Sequence, residues 1–106
     1  MDLKTYQEFT PTTALYPEEF EEAYLSTGLA AEVGEVADLF AKYFRGDYTS
    51  QRLIPNLEKE LGDCMWFISQ LCNRYHLDLE EILDLNVDKL TSRKDRGVLQ
   101  GAGDDR

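Results

Sequence analysis

Residues 25–44 read LSTGLAAEVGEVADLFAKYF, and their apolar side chains recur with the period of an α-helix. Leu25, Leu29, Val36, Leu39 and Tyr43 fall at steps of three, four or seven, which puts them on one helix face. One position on that stripe is charged. Glu32 stands between Leu29 and Val36, and Glu35 lies three residues on, where its side chain shares the same face. Upstream, Pro17-Glu18-Glu19 has the form of a helix start, with proline early and acids favoured by the helix dipole. Gly46 supplies the stop after Phe44. Gly28 and Gly34 weaken the interior, so a break near Ser26–Gly28 is allowed.

The same design returns after the loop Asp47–Gln51. A helix is predicted over roughly 52–75, with Leu53, Leu57, Met65, Ile68, Leu71, Cys72 and Tyr75 as its buried stripe and Pro55 in the first turn. The ladder Leu53, Leu57, Cys64, Phe67, Leu71 passes through Glu60, with Asp63 beside it. Two further helices complete the chain. Leu3, Tyr6 and Phe9 mark a short amphipathic helix from Asp2 to about Thr13, ended near Pro11. Asp78 is an N-cap with Glu81 at capping-box spacing, opening a helix that runs to about Arg93–Lys94. Strand signals are absent. The expected fold is all-α with four helices, a single domain over 1–96 and a C-terminal turn or tail over 97–106.

Composition bounds the function. The 106 residues allow one domain, and 21 acids against 11 bases give a formal net charge of −10. That balance argues against a nucleic-acid partner, which needs a basic surface. It is compatible with a phosphate-bearing small molecule if bound cations reverse the local sign. Cys64 and Cys72 lie eight residues apart on one helix, about 12 Å along its axis and too far for a disulfide. Buried free thiols, no visible leader and no apolar run of membrane-spanning length suggest a cytoplasmic protein without a membrane partner.

Most of the 21 acids decorate a solvated surface. The pairs Glu32/Glu35 and Glu60/Asp63 do not fit that description, because each is embedded in an apolar stripe. An unpaired carboxylate in a core costs several kcal/mol or becomes neutral, and four converging ones repel further unless a cation joins them. Oxygen ligands without nearby histidine point to a hard cation, Mg²⁺ or Mn²⁺ rather than zinc. A di-iron site would use Glu-x-x-His pairs, and the one histidine, His76, sits at a helix end sixteen residues past Glu60.

Ala31-Glu32-Val33-Gly34-Glu35-Val36-Ala37-Asp38, followed by Glu58-Lys59-Glu60-Leu61-Gly62-Asp63, resembles the signature of MazG-type all-α nucleoside triphosphate pyrophosphatases. Leu77-Asp78-Leu79-Glu80-Glu81-Ile82 and the Asn86…Lys89…Arg93 run extend the likeness to about residues 23–97. The resemblance implies a four-helix MazG-like bundle whose helices assemble with a partner subunit, as a homodimer or a tetramer made of two dimers. It implies Mg²⁺-dependent hydrolysis of (d)NTP to (d)NMP and pyrophosphate, a nucleotide-pool housecleaning reaction in which Mn²⁺ could substitute. Glu32, Glu35, Glu60 and Asp63 are then the metal ligands, with Glu35 the group that receives the proton of the attacking water. Ala31 stands where many relatives carry a further acid, which bears on the number of metals.

Lys89, Arg93 and Arg96 are spaced to share a face and could hold pyrophosphate, or simply compensate the helix dipole. Asn86 lies on the same side and could touch phosphate or sugar. Lys42 and Arg45 are weaker candidates. Trp66 and Phe67 could border a base pocket or pack the core. A dUTP- or dCTP-selective pyrophosphatase of the same fold, and a non-catalytic acidic dimerisation module, are the alternatives.

Overall fold

The computed structural model describes residues 1–106, as helices and turns without a strand. Four α-helices follow in order: α1 over Leu3–Phe9, α2 over Glu21–Arg45, α3 over Ser50–Arg74 and α4 over Leu79–Asp95. Local chemistry sets their ends. The Asp2 carboxylate accepts from the Thr5 amide at 2.8 Å and starts α1. The first helix stops being α-helical earlier than its periodicity suggests, because it tightens into a 3₁₀ turn over Thr10–Thr13 that accommodates Pro11. A second 3₁₀ turn, Glu18–Phe20, leads into α2.

No break occurs in α2 near Ser26–Gly28, where one was allowed. Gly28 instead lies tight against α3: a Cβ there would overlap the Phe67 ring. Gly46 ends α2 at φ 92°, a left-handed conformation that glycine adopts without a Cβ penalty, and its amide donates to the carbonyls of Lys42 and Tyr43. Pro55 falls in the second turn of α3, since that helix begins at Ser50. The bond it cannot make is to the carbonyl of exposed Gln51, where water can replace it. The Asp78 side chain caps α4 by accepting from the Glu81 amide at 3.1 Å.

The four-residue link makes α2 and α3 an antiparallel hairpin, which carries most of the packing. Leu25, Leu39, Leu53, Phe67 and Cys72 are its buried apolar residues, and Tyr75, expected in the stripe, is exposed at the helix end. The segment from α1 to Tyr16 is strapped along the C-terminal half of α3 by polar bonds. Fully buried Thr10 shares a hydrogen bond with Ser69 (2.8 Å) and donates to Gln70 Oε1 (2.9 Å). Asn73 Nδ2 donates to the Gln7 carbonyl at 3.1 Å. Every buried side-chain nitrogen and oxygen is satisfied.

The last helix packs chiefly on α1, through buried Leu79, and leaves Leu83, Leu85, Val87 and Leu90 exposed. The final residues fold back onto it. Lys89 Nζ lies 3.1 Å from Asp104 Oδ1, Arg93 donates to the Asp104 carbonyl, and Arg106 donates to the carbonyls of Val98, Leu99 and Gly103. Both cysteines are free. No helix is long and apolar enough to cross a membrane.

Candidate metal centre

Glu32 projects from α2 toward Glu60 and Asp63 on α3, so that one carboxylate oxygen from each lies within 4.8 Å of the other two. The antiparallel hairpin creates this meeting, bringing residues on opposite sides of the Gly46 turn level with each other. Glu32 and Glu60 are half-buried and Asp63 is exposed. The Glu32 carboxyl is pushed above the usual glutamate range, first by burial, then by its hydrogen bond with Glu60 and by the charges of Asp63, Glu60 and Glu35. Burial, then the charges of Glu32, Glu60 and Asp63, push the neighbouring Cys64 thiol up.

This donor set fits a hard divalent cation. It offers carboxylate oxygen, remains open to solvent on the Asp63 side, and concentrates negative charge that nothing in the chain neutralises: no lysine or arginine pairs with any of the three. Glu35 lies outside the trio and is exposed, although its charge still acts on Glu32.

Two of the three, Glu32 and Asp63, line a cleft of about 350 Å³ together with Thr13, Tyr24, Trp66 and Phe67. Its aromatic walls hold one another. The rings of Trp66 and Phe67 meet edge to face with centroids 5.0 Å apart, and Tyr24 lies 5.8 Å from Phe67.

The sequence model of the MazG nucleotide pyrophosphohydrolase domain matches residues 20–98. The chain belongs to this family. It is also similar to the Gene 37 protein of Mycobacterium phage L5, with 39% identity over 114 aligned residues that cover all of both chains. No solved structure matches it. The family match contains the whole trio but begins after Thr13.

Elsewhere in this MazG-family chain, the expected cations are already engaged. Lys42 pairs with Asp38 at 2.6 Å, one turn back on α2. Arg45 binds Asp47 beyond the Gly46 turn. Lys89 and Arg93 converge on Asp104, Arg93 with its side chain only 8% exposed, while Arg96 Nε donates to Ser92 Oγ at 3.0 Å. None of these, nor Asn86, lines the cleft. Phe67 does line it, and is buried as well. Sequence reasoning missed Tyr24 and Thr13. Tyr24 had a signal, since positions 24, 28 and 32 share a helix face with Glu32. Thr13 had none, because it sits in a turn with no periodicity.

Proposed function

We propose that the protein hydrolyses nucleoside triphosphates to nucleoside monophosphate and pyrophosphate. One observation carries the reading: three carboxylates from two helices crowd together, and two of them, Glu32 and Asp63, line an aromatic-walled cleft large enough for a small ligand. Family membership supports the reaction class. Glu32, Glu60 and Asp63 would hold Mg²⁺, with Mn²⁺ as a substitute, and the cation would offset triphosphate charge and make water more acidic. Glu35, exposed beside the trio, is the group we assign to take the proton of the attacking water. Trp66, Phe67 and Tyr24 would flank the base. Asn86, Lys89 and Arg93 lie on α4 and Arg96 at its C-cap, away from the cleft, so we assign them to phosphate binding in a homodimer or a dimer of dimers.

The test is to incubate purified protein and Mg²⁺ with the eight common ribo- and deoxyribonucleoside triphosphates and follow monophosphate and pyrophosphate. Equal release of the two from at least one substrate is expected. Release of orthophosphate, or no turnover of any nucleotide, overturns the assignment.

A further inference from the structure

We infer that Thr13, on the 3₁₀ strap ahead of the family-matched region, is a positioning residue that fixes the Trp66 indole as the stacking wall for the substrate base. The inference rests on reading the cleft as the nucleotide site. Trp66 Nε1 donates to Thr13 Oγ1 at 2.7 Å, and that hydroxyl donates its own proton to the Thr10 carbonyl at 3.1 Å. The proton of Thr13 is therefore spent, its oxygen presents an acceptor to the indole, and the ring is held at its polar edge.

The anchor behind this bond is firm. Thr10 is fully buried and tied to Ser69 and Gln70, one turn along α3 from Trp66 itself. Tyr16, at the far end of the strap, completes the brace. Its ring stacks on Tyr24 at 4.8 Å and meets Trp66 edge-on at 6.4 Å. Its hydroxyl accepts from Gln70 Nε2 at 2.9 Å and donates to Glu21 Oε2 at 2.7 Å, and Glu21 is in turn paired with Arg74. Indole, phenol and phenyl rings are thus locked at fixed angles before any ligand arrives, which lowers the ordering cost of binding.

The same accounting fixes how the base is held. With the Trp66 N–H committed to Thr13 and the Thr13 proton to Thr10, the indole offers a base its aromatic face and no free donor. Stacking on an aromatic face accepts every base, whereas a site built to hydrogen-bond a particular group discriminates steeply against its absence. Loosening the indole should therefore weaken all bases by a similar factor.

The experiment uses the full chain with Thr13→Val, which keeps shape but loses the acceptor, Thr13→Ser, which keeps the hydroxyl, and Trp66→Leu. Trp66 is the single tryptophan, so its emission reports the contact directly. In wild type, ATP, GTP, CTP and UTP each quench that emission, while inorganic tripolyphosphate, which has no base, does not. Thr13→Val should raise KM roughly three- to tenfold for every hydrolysed nucleotide with kcat near wild type, and Trp66→Leu by about tenfold or more, the scale of one lost base stack. Tripolyphosphate inhibition should stay unchanged in both variants, and Thr13→Ser should behave as wild type. An unchanged KM in Thr13→Val, a parallel loss of tripolyphosphate affinity, or a penalty confined to one base overturns the inference. Emission indifferent to all four nucleotides overturns it whether or not hydrolysis occurs. Quenching without turnover sinks the hydrolysis reading and leaves the stacking wall standing.

Discussion

At the scale of single residues, the centre is a repulsion that the folded chain tolerates. Three carboxylates whose oxygens lie within 4.8 Å cannot all ionise without cost, and Glu32 bears the strain through its raised pKa. Removing one charge separates the structural effect from the functional one. Asp63→Asn keeps volume and relieves the crowding, so without added metal its Tm should equal or exceed that of wild type. The rise in Tm that Mg²⁺ gives to wild type should disappear, and turnover should fall by roughly 10²–10³-fold, as when one electrostatic contact at a reacting centre is lost. Thermal shift with and without Mg²⁺, beside the pyrophosphate assay, measures both; an intact Mg²⁺ shift in Asp63→Asn would remove that residue from the ligand set. Glu35→Gln should behave differently, because Glu35 stands outside the trio. Its turnover should fall by a comparable factor while the Mg²⁺ shift survives, and loss of both would place Glu35 among the ligands instead. The sequence exposed Glu32 and Glu60 because each interrupts an apolar ladder. It did not separate Glu35 from Glu32, since a three-residue step leaves two side chains about 60° apart on a helix, close enough to share a face.

At the scale of elements, the cleft depends on how closely α2 approaches α3, and Gly28 permits that approach. A methyl group there would overlap the Phe67 ring, which is buried, packs against Tyr24 and forms a wall of the cleft. Overpacking of this kind typically costs about 1–3 kcal/mol, and the helix-propensity gain of alanine over glycine recovers up to about 1 kcal/mol. Gly28→Ala should therefore be destabilising by urea unfolding despite alanine's helix preference, and should raise KM. Combining it with Phe67→Leu should cost less than the two changes summed, because the smaller side chain removes the clash. Strict additivity would show that the contact is not the cause. Helix positions were legible from periodicity and caps: Asp78, Gly46 and the proline-led turns marked boundaries within a few residues of those observed. What periodicity could not show was the strap. Thr10 and Thr13 lie in a 3₁₀ turn and Tyr16 just beyond it, and their partners Ser69, Gln70 and Trp66 are more than fifty residues away, so no local pattern encodes the pairing.

At the scale of the whole molecule, one chain exposes too much. Its surface is 7794 Å². A folded monomer of 12.2 kDa ordinarily exposes about 6,100 Å², so roughly 1,700 Å² is in excess. The radius of gyration, 16.8 Å, likewise exceeds the value of about 13 Å for a compact domain of this length. Part of the excess is easily located. Leu79 is buried, but Leu83, Val87 and Leu90 continue its stripe along α4 and are exposed. Val33 and Phe44 on α2 and Ile54 and Leu61 on α3 are also bare. Two copies that each hid such an area would form an interface in the range of obligate homodimers. Light scattering after size exclusion should thus report at least twice 12.2 kDa. With a net charge of −10 on each chain, association should tighten as salt screens the repulsion. Val87→Arg places a charge in the middle of the bare α4 stripe. It should lower the mass to that of one chain at micromolar concentration, with helical circular dichroism retained. Turnover should fall with it if α4 supplies its cations across the dimer, and the residual activity should rise with protein concentration as the weakened dimer re-forms. A wild-type chain that sediments as a monomer at every concentration would mean that α4 has no such partner, and that Lys89 and Arg93 serve the tail residue Asp104 rather than a phosphate.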